Sequence, residues 1–166
     1  MLYTGLKAVG MLLILACIFG RLWSTLYIGT RKNSEVVMTG PYSITRNPLY
    51  LFSTIGAFGA GLVFGSIVVA FGLGLVSYIV FSITANGEAS YLRSQFGPEY
   101  LTYEAGTPQF WPNFSLYTTA SEVMFSPPVL QRAFGDSLYF LAVIPLVGAV
   151  EYLQSSGYLP VIFWLP

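Results

Sequence analysis

Long uncharged stretches alternate with short polar stretches along the chain, and the uncharged ones are long enough to cross a membrane. Residues 8–29 contain Arg21 as their one charged residue, and residues 47–87 then run for 41 residues without a formal charge. A membrane-spanning helix needs about 20 apolar residues. We therefore expect one span in residues 8–29 and a hairpin of two spans in residues 47–87, with its turn near residues 61–66.

A fourth and shorter apolar stretch covers residues 137–150, which contain Pro145, a residue that predicts a kink. Residues 88–131 mix charged residues with prolines, which is typical of a segment outside the membrane. The first part of that segment, residues 88–96, is predicted to continue the third helix beyond the membrane. Residues 158–166 are apolar but too short to cross.

The N-terminal apolar run has some features of a signal peptide, because Lys7 precedes it. Arg21 and Trp23 follow the run, however, and no cleavage site with small residues is present. We therefore expect a retained membrane span rather than a signal peptide.

The composition agrees with a membrane protein. Hydrophobic residues make up 55% of the 166 residues and charged residues 8%, whereas soluble proteins contain about 25% charged residues. The net charge is zero, so no basic face is available for nucleic acid. These values exclude a water-soluble enzyme, a disordered chain and a nucleic-acid binder. They predict an all-α fold, a polytopic membrane helical bundle of about four transmembrane helices, with a core of residues 1–112 and a C-terminal extension of residues 113–166.

The chain lacks histidine and has one cysteine, Cys17. This excludes nucleophile pairs that need histidine, an intramolecular disulfide and a zinc site built on thiolates. No metal site is predicted. Any chemistry must use arginine, acidic residues, tyrosine, asparagine, the backbone and a bound cofactor.

The basic residues predict the orientation of the chain. Cytoplasmic loops carry an excess of lysine and arginine, and only Lys7 lies on the opposite side from the other loop cations. Both polar stretches are therefore expected in the cytoplasm, where they can form one site, at the inner membrane if the source is bacterial. The cations in these stretches are Arg31, Lys32, Arg46, Arg93 and Arg132.

The first polar stretch ends in the sequence TGPYSITRNPLY, residues 39–50. Pro48 suits the first turn of the following helix, whose free N–H groups attract anions. Arg46 beside that helix end favours a carboxylate or a phosphate. The alternative is that Arg46 only anchors the chain at the membrane surface.

The second polar stretch begins GEASYLRSQFGPEYLTY, residues 87–103. Glu88 is the first charge after the hairpin, and its carboxylate can accept hydrogen bonds from an ammonium or hydroxyl group. The alternative is a solvated helix end without a functional role.

The order of these motifs resembles the isoprenylcysteine carboxyl methyltransferase and phospholipid methyltransferase family of integral membrane enzymes. The resemblance covers about residues 20–112 and includes GPY, RNPLY, the glycine-rich hairpin, Glu88, FGPEYLTY and PQFWP. Each motif is weak alone, and their order and separation carry the resemblance.

The resemblance implies a methyltransferase that binds S-adenosylmethionine in a mostly enclosed cytoplasmic pocket and acts on a lipophilic acceptor from the bilayer. The acceptor is either the carboxylate of a prenylated cysteine-like compound or a lipid headgroup. Arg46 and Glu88 are the expected catalytic residues. The expected cofactor-binding residues are Glu35, Val36, Val37, Gly40, Tyr42, Arg46, Asn47, Pro48, Tyr50 and Glu88.

The chain departs from the family pattern at three positions. Asn47 replaces the usual histidine of Arg-His-Pro, and Ala89 replaces the second glutamate of a Glu-Glu pair. Thr84 stands where the family's eukaryotic carboxyl methyltransferases have an arginine for the substrate carboxylate. The departure at Thr84 bears on the prenylcysteine acceptor more than on the cofactor, and Asn47 and Ala89 are the features that favour a non-catalytic relative.

Methyl transfer from a sulfonium needs positioning and exclusion of water rather than a metal or a covalent intermediate, which suits this composition. An anionic acceptor needs no general base, whereas an amine would need Glu88 or a tyrosine. Two other functions remain open: a membrane reductase that uses NADPH, and a non-catalytic relative that serves as a membrane scaffold.

Overall fold

The computed structural model describes residues 2–29, 31 and 34–158, and helices are the regular secondary structure in these ranges. The all-α prediction is confirmed. A single 3-10 turn, Phe114–Leu116, lies between the last two helices. The helices are α1 (Leu2–Ile28), α2 (Pro41–Ile44), α3 (Pro48–Val63), α4 (Ile67–Phe96), α5 (Pro98–Gly106) and α6 (Pro127–Ser155).

Three helices of the described chain, α1, α4 and α6, are long and apolar enough to cross a membrane. Helix α3 is also apolar, but its 16 residues extend only about 24 Å, against a hydrocarbon core of about 30 Å. The predicted count of about four spans is therefore met only in part, by three helices of spanning length and one shorter helix.

The predicted hairpin consists of α3 and α4, and its turn lies where the sequence places it. Gly65 adopts φ +78°, which glycine tolerates without steric cost. Ser66 accepts a hydrogen bond from the backbone N–H of Val69 at 3.3 Å and so caps α4. Gly61 lies so close to Ala70 that an added Cβ would meet its Cα at 2.3 Å. A side chain at Gly61 would separate the two helices.

Two helices extend beyond the spans predicted from hydropathy. Helix α1 begins at Leu2 rather than residue 8, and α6 covers Pro127–Ser155 rather than residues 137–150. The reason is that polar and charged residues such as Arg132 end an apolar stretch without ending a helix. Pro145 lies inside α6, and the kink there stays a prediction. The prediction for residues 158–166 lies outside the described residues, except for Tyr158.

The turn after α4 is confirmed. Gly97 ends α4 with φ +53°, and its N–H donates to the Arg93 carbonyl at 3.0 Å. Pro98 then begins α5 rather than a coil, because proline suits the first turn of a helix. The polar stretch of residues 30–46 likewise contains a short helix, α2.

Close contacts between small residues hold α1 against α3. Gly10 and Gly59 lie opposite each other, and Gly56 lies against Cys17. Small residues allow such close approach between membrane helices. This interface is the most extensive one in the fold, and it makes α3 the central element beside the site.

Helix α6 of the C-terminal extension packs on α1 and α3 through polar as well as apolar contacts. The Arg21 Nη1 atom donates to Ser53 Oγ at 2.5 Å, and its Nε atom donates to Ser137 Oγ at 3.3 Å. Near the opposite end of α1, Lys7 pairs with Glu151 at 2.5 Å. Polar groups inside a membrane need partners, so these contacts fix α6 at two levels.

Candidate active site

A cavity of about 200 Å³ lies between the polar segment before α3 and the ends of α4 and α5. Nine of the ten residues predicted to bind the cofactor line it. They are Glu35, Val36, Val37, Tyr42, Arg46, Asn47, Pro48, Tyr50 and Glu88. The rest of the lining is Ile28, Leu49, Ala85, Ala89, Tyr91, Leu92, Tyr100 and Tyr103. Arg46 and Glu88 therefore line the same cavity, although they are 42 positions apart in the sequence.

Gly40 is the predicted site residue that does not line this cavity. Its φ is +62°, and an added Cβ would lie 2.4 Å from the ring of Tyr27. Its N–H donates to the Thr118 carbonyl at 2.7 Å. Gly40 therefore shapes the turn before α2 by admitting the Tyr27 ring, and a contact between Gly40 and the cofactor stays a prediction.

Tyr42 presents a buried hydroxyl that has no hydrogen-bond partner within the described ranges. Its own carbonyl accepts a 2.7 Å hydrogen bond from the Tyr103 hydroxyl. Burial, with added effects of Tyr103 and Glu88, raises the pKa of Tyr42 far above its usual value. The hydroxyl therefore stays neutral and can donate to a ligand in the cavity.

Arg46 is paired with Glu104 of α5 through its Nη1 atom. Glu104 also accepts hydrogen bonds from Arg93, at 2.6 Å from Nε and 2.9 Å from Nη2. The Nε atom of Arg46 is buried and has no partner among the described residues. Hydrogen bonding from Arg93, assisted by Arg46, lowers the pKa of the Glu104 carboxyl. Glu104 is therefore ionised at neutral pH.

Glu88 lies in α4, within hydrogen-bonding reach of the Tyr50 hydroxyl. The neighbouring Ala89, at the position of the family's second glutamate, is 5% exposed and packs with Tyr100 and Tyr103. An acidic side chain at Ala89 would enter this aromatic cluster. The departure from a Glu-Glu pair therefore has a packing reason in this chain.

Two further predicted positions have clear surroundings. Glu35 forms a 3.0 Å ion pair with Arg31. Thr84 is exposed, does not line the cavity, and donates its hydroxyl hydrogen bond to the Val80 carbonyl at 2.9 Å. Thr84 lies one helical turn before Glu88 but takes no part in the lining of this cavity.

Residues 107–119, which we call the strap, lie against the segment that carries Arg46. The hydrogen bonds between them are largely made by backbone groups. They join Arg46 N to Pro108 O at 2.9 Å, Asn113 N to Ile44 O at 2.9 Å, Thr118 N to Ser43 Oγ at 3.0 Å and Thr45 Oγ1 to Phe110 O at 3.0 Å. The strap therefore fixes the backbone on both sides of Arg46.

Asn47 also belongs to this network. Its side-chain Nδ2 donates to the Gln109 carbonyl at 2.9 Å, although the residue lines the cavity as well. Asn47 therefore uses its donor to hold the strap. A histidine ring also has an N–H donor, which relates the Asn47 side chain to the usual family residue.

A second cavity of about 460 Å³ has no polar surface, and we call it the apolar groove. Helices α3 and α4 contribute most of its lining, α1 contributes Leu13, and the strap contributes Phe110 and Trp111. Tyr50 of the first cavity stacks on Phe81 with ring centroids 4.9 Å apart. In α4, Phe81 lies between the groove residue Tyr78 and the first-cavity residue Ala85. The groove residues are Leu13, Leu51, Thr54, Ile55, Phe58, Phe71, Gly74, Leu75, Tyr78, Phe110 and Trp111.

The sequence analysis missed the part of the site that α5 contributes. Tyr100 and Tyr103 line the cavity, and Glu104 holds Arg46. A usable signal was the spacing of these three residues, because positions three and four apart share one face of a helix.

Comparison with known proteins finds two relatives that cover nearly the whole chain. The nickel-cobalt-cadmium resistance protein NccN of Alcaligenes xylosoxydans xylosoxydans is 37% identical over 161 residues, which are 97% of this chain and 75% of that protein. The cobalt-zinc-cadmium resistance protein CzcN of Cupriavidus metallidurans is 35% identical over 154 residues, 93% of this chain and 71% of that protein. No solved structure matches the chain.

The comparison with protein families agrees with the resemblance seen in the motifs. A model described as phospholipid methyltransferase matches residues 5–99, more than half of the chain. The match includes α1 to α4 and ends just before the α5 residues that complete the cavity. The protein belongs to the phospholipid methyltransferase family.

Proposed function

We propose that the protein is an integral membrane methyltransferase that uses S-adenosylmethionine and acts on a lipophilic acceptor. The observation that carries the proposal is that Arg46 and Glu88 line one cavity of about 200 Å³. A cavity with a cation and an anion in its walls suits a zwitterionic ligand, and the methionine part of the cofactor has both a carboxylate and an ammonium group.

The residues present fit such a ligand. The Arg46 Nε atom and the Tyr42 hydroxyl are both buried, and neither has a hydrogen-bond partner within the described ranges. Buried polar groups normally have partners, so these two donors suggest groups that a ligand satisfies. In this proposal Arg46 binds the carboxylate, Glu88 binds the ammonium group, and Tyr42 and Tyr50 orient the ligand between them.

The role of the protein in the reaction is to position the reactants and exclude water. When bound, S-adenosylmethionine supplies an activated methyl group. The neutral Tyr42 hydroxyl orients polar groups without exchanging a proton. An anionic acceptor oxygen needs no base, whereas an amine acceptor would lose a proton to Glu88 or to a tyrosine of the lining. We place this site on the cytoplasmic side.

The apolar groove supports a lipophilic acceptor. Its lining has no polar surface, so hydrocarbon is the matching ligand chemistry. In α4, Phe81 lies between Tyr78 of the groove and Ala85 of the first cavity, and it stacks on Tyr50. In this proposal a lipid tail occupies the groove, and its polar end reaches the first cavity. In this proposal, Tyr50 contacts both the cofactor and the lipophilic acceptor.

Ligand binding to the detergent-purified protein tests the proposal. S-adenosylhomocysteine should raise the melting temperature and titrate one site by calorimetry, and NADP should do neither. Stabilisation by NADP alone would favour the reductase. Incubating membranes with radiolabelled S-adenosylmethionine should then label a lipid or a lipidated protein. Binding without any labelled product would favour the non-catalytic scaffold.

The names of the two relatives suggest a second role, in tolerance to metal ions. We propose that such a role would depend on the methylation site, because the chain aligns with these relatives over the segments that form the cavity. Expression of the wild-type protein in a metal-sensitive host should raise cadmium or nickel tolerance, and Glu88→Ala should remove the gain. Tolerance retained by Glu88→Ala would separate the metal phenotype from the cavity.

A further inference from the structure

Two opposite charges in one small cavity pose an electrostatic problem. Arg46 and Glu88 both line the cavity of about 200 Å³. Unlike charges in a partly desolvated space attract strongly. If Arg46 paired with Glu88, each would neutralise the group that a zwitterionic ligand needs. Something must therefore hold the Arg46 guanidinium away from Glu88 before the ligand binds.

Glu104 of α5 is placed to hold the Arg46 guanidinium away from Glu88. It binds Arg46 through Nη1 and leaves Nε without a partner among the described residues. The Arg46 and Glu104 side chains are only 12% and 19% exposed, so the pair is largely protected from solvent. Ion pairs of this kind are screened less by salt than surface pairs.

Arg93 holds Glu104 from the other side. Its side chain is 46% exposed, and its guanidinium makes two hydrogen bonds to the Glu104 carboxylate. The carboxylate is thus fixed between a solvent-facing arginine and a cavity-lining arginine. The three groups together carry one net positive charge, which suits the side of the cavity expected to receive an anion.

We propose that Glu104 is a positioning residue that holds Arg46 toward the ligand carboxylate and keeps it from pairing with Glu88. The inference rests on the proposed function for the identity of the ligand. The arrangement of the three charged side chains does not depend on it. Glu104 acts through Arg46 and does not itself line the cavity.

The first experiment measures S-adenosylhomocysteine affinity in Glu104 variants by calorimetry. Glu104→Gln should weaken binding by about 10-fold or more, because an ionic hydrogen bond to Arg46 is lost. Glu104→Asp should keep binding within about 3-fold, since it restores the charge. Glu99→Gln is the matched control, because Glu99 is an exposed acid in the first turn of the same helix. Wild-type affinity in Glu104→Gln would overturn the inference.

The second experiment needs no ligand and so separates this inference from the proposed function. Melting temperatures are measured for Arg46→Gln, Glu88→Gln and Glu104→Gln, singly and combined. In the wild-type background, the changes in melting temperature caused by Arg46→Gln and Glu104→Gln should be non-additive, which shows that the two side chains interact. The changes caused by Arg46→Gln and Glu88→Gln should be additive in the wild-type background and non-additive in the Glu104→Gln background. Absence of Arg46–Glu104 coupling would overturn the inference even if S-adenosylhomocysteine binds. If the wild-type protein does not bind S-adenosylhomocysteine, the proposed function fails, and these couplings still decide the role of Glu104.

Discussion

The two cavities of this protein are neighbours with opposite chemistry. The first has charged and hydroxyl groups among its largely apolar lining, at helix ends and in the segment before α3. The apolar groove is lined by the faces of α1, α3 and α4 and exposes no polar surface. The first cavity can select a ligand by charge and hydrogen bonding, whereas the groove can select only by shape and apolar area.

The two cavities are also held in different ways. Hydrogen bonds from the strap fix the backbone around Arg46, and Glu104 fixes its side chain. The groove depends on close helix contacts, such as the one between Gly61 and Ala70. A substitution in one cavity should therefore change one binding event and leave the other intact. That separation is open to direct test.

Loss of a charge from the first cavity should have the largest effect. Arg46→Ala and Glu88→Ala should each abolish detectable S-adenosylhomocysteine binding, a loss of about 100-fold or more, because a buried ionic contact is removed. Calorimetry on the purified variants measures this. Glu99→Ala serves as the control, and a cooperative unfolding transition in each variant would show that the fold is retained. Unchanged affinity in either cavity variant would refute the site.

A larger side chain in the groove should have the next largest effect. Gly74 lines the groove, and an added Cβ would already lie 3.2 Å from Phe58. Gly74→Leu should raise the KM for a long-chain acceptor by about 10-fold, because it occupies the space of several methylene groups. Binding of S-adenosylhomocysteine should not change.

Gly72 provides the matched control for this change. It lies two residues away on the same helix, and an added Cβ there would meet no atom within 4 Å. Gly72→Leu should leave acceptor KM and S-adenosylhomocysteine affinity as they are in the wild type. Equal effects of the two substitutions would show that the groove does not hold the acceptor.

Much of this organisation follows from local patterns in the sequence. The hairpin of α3 and α4 was predictable because 41 uncharged residues exceed one span and Gly65 allows the turn. The turn at Gly97 between α4 and α5 was predictable as well, because a glycine followed by Pro98 is typical of a helix end. Both ends of α3 agree with local signals, Pro48 at its start and the glycine turn near residues 61–66. Hydropathy alone did not show that α3 is shorter than a full span, because it assigned two spans to the 41 residues together.

The site also has a part that the sequence predicts and a part that it does not. The nine predicted cavity residues lie in or beside short motifs of the two polar stretches. The strap contains the motif PQFWP, but its contacts to residues 40–47 were not predictable. They are made by strap backbone groups more than 60 positions away, and backbone groups leave no mark on residue type. Gly40 belongs to the motif GPY of the family resemblance. The sequence did not predict its positive φ or its contact with Tyr27, which serve the turn before α2.

A smaller change, at Tyr42, should affect ligand binding and stability in different ways. Tyr42→Phe removes a buried hydroxyl that has no partner within the described ranges. The melting temperature should stay the same or rise, because an unsatisfied buried group costs about 1–3 kcal/mol. The affinity for S-adenosylhomocysteine should fall by about 5-fold, because a neutral hydrogen bond is worth about 1 kcal/mol.

Tyr103→Phe is the matched comparison. Its hydroxyl donates to the Tyr42 carbonyl at 2.7 Å, so its removal should lower stability by about 1 kcal/mol. Thermal unfolding of both variants without ligand measures the difference. A drop in melting temperature for Tyr42→Phe as large as that for Tyr103→Phe would mean that the Tyr42 hydroxyl already has a partner.

The smallest effect is expected from restoring the family residue at Asn47. The Asn47 side chain donates to the Gln109 carbonyl at 2.9 Å, and a histidine N–H can make the same kind of bond. Asn47→His should therefore keep S-adenosylhomocysteine affinity within about 3-fold, whereas Asn47→Ala should lose about 5-fold, because the segment around Arg46 loses one tie to the strap. Calorimetry on both variants compares them. If Asn47→His binds worse than Asn47→Ala, the Asn47 amide acts on the cavity rather than on the strap, and the two binding regions are less separate than their linings indicate.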